Sequence, residues 1–162
     1  MSDDRDRPRP RLHVALLEPE IPWNAGNVGR TCLAAGARLH LVRPLGFSLE
    51  ERRLRRAGLD YWQHVEPRVW PSWRAFQSAL PRLGEPFFFS ADGGRDLWSV
   101  DYGEPAVLVF GSESGGLSAE IRRRFRERLV KIPMRDPRVR SLNLSTSAAI
   151  AVYEVMRRWE LA

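Results

Sequence analysis

The chain is poor in the groups that several common chemistries require. It has one cysteine, Cys32, so neither an intrachain disulfide nor a cysteine-based zinc site can form. That fits a reducing compartment, and a cytoplasmic location is the expectation. The histidines, His13, His40 and His64, show no metal-ligand spacing, so no metal is expected. His40 sits inside a strand-like run and reads as a structural imidazole. No Ser-His-Asp or Cys-His arrangement emerges, which counts against a hydrolase. No apolar stretch approaches the ~20 residues that span a bilayer, and no membrane partner is expected. The opening stretch "MSDDRDRPRPR" has no apolar core, which argues against a signal peptide. Residues 1–11 read as a mobile charged arm ahead of a single domain over 12–162.

Lysine is nearly missing as well: of 26 basic residues only Lys131 is lysine, while the net charge is +6. Arginine binds phosphate through a planar fork and stacks on bases, so the excess leans towards a nucleic-acid partner. A genome-wide preference for arginine over lysine accounts for the same count, and the charge alone does not choose between them. Hydrophobic residues make up 43% of the 162, enough for one globular core.

Short β-rich runs alternate with helical patterns. Strands are expected at Leu12–Leu17, Leu39–Val42, Pro86–Ser90, Ala106–Phe110 and Leu129–Ile132. Helices are expected at Asn27–Ala35, Ser48–Ala57, Ser72–Leu80, Ser118–Phe125 and about Leu144–Trp159. The alternation predicts an α/β fold around a mostly parallel sheet with helices on both faces. On the last helix Leu144, Ala148, Ala151, Val152, Val155 and Trp159 form one apolar stripe, and the small residues of "STSAAIA" would admit a second helix.

In open parallel sheets, ligands bind where strands end and loops lead into helices. Three segments have that placement. "NAGNVGR" (Asn24 to Arg30) follows the first strand, with Asn27 as the expected N-cap and Arg30 in the first turn of the next helix. A cation there is mildly unfavourable, so Arg30 is either an ordinary surface charge on a capped turn or part of a site. "FGSESGGL" (Phe110 to Leu117) brings glycines, hydroxyls and one carboxylate, Glu113, and is either a ligand loop or a bare turn. "SLNLSTS" places Ser141, Asn143, Ser145 and Ser147 ahead of the last helix, more polar groups than one N-cap needs, which favours a site. Amides, hydroxyls, one carboxylate and arginine suit group transfer, in which a cofactor holds the reactive group and the protein orients the partners.

Taken together, N-x-G-N-x-x-R over Asn24–Arg30, F-G-x-E-x-x-G-L over Phe110–Leu117 and I-P-M…S-L-N-L-S over Ile132–Ser145 resemble the three motifs of the SPOUT methyltransferases. Those are knotted α/β enzymes that transfer methyl from S-adenosylmethionine to RNA. "EPEIPWNAGNVGRTC" and "RRLRRAGLDYW" resemble the minimal branch that methylates the ribose 2′-oxygen of the tRNA wobble nucleotide, so the likeness runs from Leu12 to Trp159. Gly115 stands where a bulkier or charged residue is common, and, as in the minimal branch, no added RNA-binding domain is expected.

The resemblance implies a homodimer, a deep trefoil knot in the C-terminal half, and methylation at position 34, cytidine or uridine, with leucine tRNAs as the expected substrates. Another tRNA site, ribosomal RNA or a non-catalytic RNA-binding role are the alternatives. Phe89, Gly111, Ile132, Ser141 and Leu142 would frame S-adenosylmethionine, largely through backbone groups. Arg30, Asn143 and Glu113 would be the catalytic set, with Asn24, Arg30 and Ser145 meeting the RNA. A guanidinium holds its proton, with a pKa above roughly 12, so Arg30 is better suited to grip a phosphate and steady developing alkoxide charge than to act as a free base. The runs "ERRLRRAG" and "RRRFRER" (Arg122–Arg128) are either contacts to the tRNA backbone or solvated helix faces, and salt dependence tells the two apart. RNA affinity is then expected to fall steeply between low and moderate salt in a filter-binding titration; a flat response would remove these runs from the interface.

Overall fold

The apolar run Leu12–Leu17 forms strand β1, buried along its whole length because both faces of the sheet are covered. The computed structural model describes residues 10–50 and 60–161. After β1 come α1 (Pro22–Ala35), β2 (Arg38–Val42), α2 (Trp62–Val65), β3 (Arg68–Trp70), α3 (Trp73–Leu83), β4 (Glu85–Phe89) and β5 (Arg95–Asp96). Then follow β6 (Ala106–Phe110), α4 (Ala119–Arg124), β7 (Leu129–Lys131) and α5 (Leu144–Leu161), with 3-10 turns at Leu97–Ser99 and Arg126–Arg128. The seven strands lie in the order β3-β2-β1-β6-β4-β7-β5, and every pairing is parallel.

Alternation along each strand divides the core into two layers. Leu12, Val14 and Leu16 of β1 and Leu108 of β6 face α1, α2 and α5, where they meet Val28, Cys32, Trp62, Ala148 and Val152. Ala15 and Leu17, with Val107 and Val109, face α3 and α4, where they meet Phe76, Leu80 and Ile121. The apolar stripe expected on the last helix is buried as Ala148, Ala151, Val152 and Val155.

The five expected strands form, each within a residue or two of its expected bounds. β3 and β5 were not expected: they are three and two residues long, too short to carry an alternating pattern. Ser72 and Ser118 cap α3 and α4 as serines at these positions do, each hydroxyl accepting from the N–H three residues on at 3.2 Å. Of the helix expected over Ser48–Ala57, residues Ser48, Leu49 and Glu50 are not helical, and the rest lies outside the described residues.

The first helix differs most. It begins at Pro22, so "NAGNVGR" is helical throughout, Asn27 is not its N-cap, and Arg30 lies beyond its first turn. Proline is at home at the first helical position, where its missing N–H would have no partner and its fixed φ suits the helix. Gly29 has a packing role rather than a turn role: a Cβ there would come within 2.9 Å of the Trp62 ring and 3.2 Å of Val65, so its absence lets α2 lie against α1.

Under the other edge of the sheet, His13, His40 and Trp70 form a buried hydrogen-bonded row. Trp70 Nε1–H can only donate, and it donates to His40 Nδ1 at 3.0 Å. The His40 proton therefore sits on Nε2 and points at His13 Nδ1, 2.9 Å away, while His13 donates to the Pro10 carbonyl. Burial disfavours the charged imidazoles, with Arg38 adding repulsion at both, and holds His13 down to about 4 and His40 to about 3. Unfolding restores pKa values near 6.5, so as pH falls through that value the unfolded chain takes up protons that the folded chain refuses. Folding free energy is expected to fall by up to about 1.4 kcal/mol per pH unit for each histidine between pH ~6.5 and ~4.5, above the carboxylate range. Denaturant titrations at pH 7, 6 and 5 measure it; a flat profile would rule out a neutral buried pair.

Candidate functional site

From β1 the chain turns one way, through α1 to β2, whereas from β6 it turns the other way, past β4 to β7. Neighbouring strands whose connections diverge leave a crevice at their carboxyl ends. A cleft of about 590 Å³ lies there, a size that suits a nucleoside-sized ligand. Its walls are Ile21 and Asn24 at the start of α1, Phe89 to Asp92 after β4, Gly111 to Leu117 after β6, and Ile132, Met134 and Arg140 to Leu144 after β7. Phe89 and Phe110 are in register on adjacent strands and stack at 4.7 Å, giving it an apolar floor.

One chain of hydrogen bonds joins the walls. The Glu113 carboxylate accepts from the backbone N–H of Glu20 at 2.7 Å and of Ile21 at 3.0 Å, and from Asn24 Nδ2 at 3.2 Å. Ile21, the N-cap of α1, has no capping side chain of its own, so the approach to this helix is clamped from the β6 loop. Asn24 Oδ1 in turn accepts from Asn143 Nδ2 at 3.0 Å. Asn143 Oδ1 accepts from Ser145 N at 2.9 Å, Ser145 Oγ at 2.7 Å and Thr146 N at 3.3 Å, which makes Asn143 the N-cap of α5. A return contact runs from Ser114, whose amide and hydroxyl both donate to Glu20 Oε1; these bonds hold the Glu20 carboxyl below its usual pKa.

The β6 loop is shaped by backbone contact. Ser112 pairs with Gly116, and a Cβ on Gly111 would lie 2.0 Å from the Gly116 carbonyl carbon. Only glycine at 111 lets the loop fold back on itself at this distance.

Phe89, Gly111, Ile132, Ser141, Leu142, Asn24, Glu113 and Asn143 all line this one cleft. Ser145 stands one step behind, bonded to Asn143. Arg30 does not line the cleft of its own chain. It lies six residues after Asn24, about 9 Å along the helix and roughly 240° around it, on an exposed stripe with Trp23, Asn27 and Leu33. Ser90, Asp92, Arg122 and Arg140 also line the cleft and were not singled out as site residues. The position of Ser90 and Asp92 just past a strand end was a usable signal, but Arg122 was hidden in a run that reads as a charged face. In that run Arg122 lies 3.7 Å from Asp92 and Arg128 pairs with Glu85, while Arg123 and Arg124 are exposed. "ERRLRRAG" lies outside the described residues. Among the described residues no group of acidic, histidine or cysteine side chains could hold a metal, and no helix is long and apolar enough to cross a membrane.

The parallel sheet carries at its switch point a cleft of amides, hydroxyls and one clamped carboxylate, an arrangement suited to holding a cofactor against an acceptor. The chain belongs to the SpoU rRNA Methylase family, whose pattern matches residues 11–153. It is 45% identical over 150 residues to the tRNA (cytidine(34)-2′-O)-methyltransferase of Methylovorus glucosotrophus, covering 92% of this chain and 96% of that one. The enzyme of the same name from Burkholderia ambifaria is 45% identical over 149 residues, covering 91% and 95%. A solved structure reported under "Structural insights into the 2-OH methylation of C/U34 on tRNA" superposes with a TM-score of 0.86 at 48% identity, covering 96% of this chain and 100% of that one. An AdoMet-bound rRNA methyltransferase from Sinorhizobium meliloti superposes with a TM-score of 0.75 at 26% identity, covering 94% of this chain and 59% of that longer one.

Because the bonds run in series, removing one member is expected to loosen the next. Glu113→Gln turns an amide N–H towards backbone donors, at a cost of about 1–3 kcal/mol, and Asn143→Ala removes an N-cap worth about 1 kcal/mol. Thermal melts of both single variants and the double variant check this: the double loss is expected to be smaller than the sum, whereas strict additivity would show that the walls are independent.

Proposed function

We propose that the chain methylates the ribose 2′-oxygen of nucleotide 34, a cytidine or uridine, in tRNA, with S-adenosylmethionine as donor and leucine tRNAs among its substrates. The observation that carries this reading is the bonded row Glu113–Asn24–Asn143, which draws all three family motifs around one cleft. Relatives that bear this activity in their names match nearly the whole chain.

The cleft fits the cofactor. The stacked Phe89 and Phe110 rings, with Ile132 and Leu142, offer an apolar bed for an adenine, and Gly111 brings backbone close enough to bond it. When bound, S-adenosylmethionine supplies a methyl group already activated on sulfonium sulfur, so the chain adds positioning and help with a proton. Asn24 is buried with both its amide groups engaged inside the chain, so its part is to hold α1 against the β6 and α5 walls. Glu113 and Asn143 keep those walls at fixed spacing. Ser145 is bonded to Asn143, Ser141 frames the cofactor from the rim of the cleft, and the exposed Arg140 beside it faces the RNA. With the donor bound, the transfer would exchange the S–CH3 bond for an O–CH3 bond, and the 2′-hydroxyl proton would pass to water. Arg30 grips the neighbouring phosphate bidentately and lowers the cost of alkoxide charge.

Arg30 reaches the reacting nucleotide at the interface of a homodimer. Its stripe on α1 carries Trp23 at 56% exposure, and the neighbouring Ile21 on α1 and Ile150 and Tyr153 on α5 are exposed at 42%, 37% and 51%, large apolar groups of the kind a second copy covers. The trefoil knot of the family is supported by β7 lying between the earlier strands β4 and β5, and by α5 returning to pack beside α1. The reading places one domain over residues 12–162, preceded by a charged arm, in the cytoplasm where tRNA is modified.

The test is methylation of total tRNA with methyl-labelled S-adenosylmethionine, followed by mapping of the modified nucleotide. A 2′-O-methyl group at position 34 is expected, and label elsewhere would overturn the substrate assignment. Arg30→Lys is expected to slow turnover by about tenfold or more, since a point charge cannot replace the fork; near-wild-type turnover would remove bidentate grip as its role.

A further inference from the structure

Arg30 is exposed, and among the described residues no hydrogen bond or ion pair holds its guanidinium. What it does meet is the face of Tyr61, with Cζ 5.4 Å from the ring centroid. Tyr61 closes the stretch "LRRAGLDY" and does not itself line the methyl-transfer cleft.

The ring is held from two sides. Its hydroxyl donates to the Gly26 carbonyl at 2.9 Å. In an α-helix that carbonyl also takes the N–H four residues on, which belongs to Arg30, so Tyr61 is tied to the turn that carries the arginine. Burial pushes the Tyr61 hydroxyl up from its ordinary pKa, so it stays protonated and keeps donating. The next residue, Trp62, together with Val65, lies directly on Gly29, where a Cβ would be 2.9 Å from the tryptophan ring. With α1 and α2 in such contact, the ring has little room to move and presents one flat face to the guanidinium.

We propose that Tyr61 is a positioning residue for the methyl-transfer reaction: its ring is the shelf that sets the Arg30 guanidinium in the orientation it presents to the nucleotide. A free arginine on a helix surface samples many rotamers, and bidentate grip of a phosphate needs one plane. A shelf anchored to the same helix restricts that sampling before RNA arrives. The inference rests on the reading of Arg30 given above, and the experiment separates the two.

Tyr61→Leu, Tyr61→Phe, Arg30→Ala and the Arg30→Ala/Tyr61→Leu double variant are compared for kcat and KM on tRNA, for S-adenosylhomocysteine affinity by calorimetry, and for melting temperature. Tyr61→Leu is expected to lower kcat by about tenfold while cofactor affinity stays within about twofold. Tyr61→Phe keeps the face and loses the anchor, so it should fall between Tyr61→Leu and wild type. The double variant should be no slower than Arg30→Ala alone, because the shelf has nothing left to hold. A merely structural Tyr61 would instead lower cofactor affinity and multiply with Arg30→Ala, and that result overturns the proposal, as does wild-type turnover in Tyr61→Leu beside an impaired Arg30→Ala. Wild-type turnover in Arg30→Ala would sink the underlying reading of Arg30 itself. Should Tyr61→Leu fail to fold, Tyr61→Phe with and without Arg30→Ala makes the same comparison.

Discussion

An ionised carboxylate has no hydrogen to give, and the order of the whole cleft follows from that. Glu113 can only accept, so Asn24 must turn its NH2 towards it. That leaves the Asn24 oxygen facing Asn143, which must offer its own NH2 and keep its oxygen for the first turn of α5. The polarity of one side chain thus sets the orientation of two amides and the cap of the longest helix. Reversing any amide would set donor against donor somewhere in the row, in a partly buried place where an unmet group is costly.

The sheet supplies the setting for this row. Parallel order with β1 beside β6 is what puts the start of α1 across from the β6 loop, and the position of β7 outside β4 is what carries the chain back to α5. The same geometry splits the first motif between two jobs. Asn24, early on α1, faces the cleft and holds its walls, whereas Arg30, almost two turns later, faces away and rests on Tyr61. A seven-residue motif read as a turn feeding a helix is therefore two surfaces of one helix.

Much of the fold was legible because the chain states it in period. "LHVALL" and "AVLVF" are continuous apolar runs, as strands covered on both faces must be, and Ser72 and Ser118 mark helix starts. The cleft was legible by motif: the residues assigned to the cofactor do line it. Two things were hidden. Glycines and asparagines favour turns by local propensity. Pro22 is a local helix-start signal, but the carboxylate that clamps this helix start lies 89 residues from Asn24 and leaves no local trace. Arg122 was likewise hidden, since a charge run looks the same whether its faces meet water or a cleft.

The separations along that row carry a consequence for how the protein comes into being. Asn24 and Glu113 are 89 positions apart, and Asn24 and Asn143 are 119 apart. A growing chain must reach residue 113 before it holds two of these three groups, and residue 143 before it holds all of them. A ribosome thus makes most of the 162 residues before any wall can find its partner. Contacts this distant form late and slowly. A growing chain therefore has no closed cleft in which to sequester a nucleoside until Asn143 has joined the other two walls.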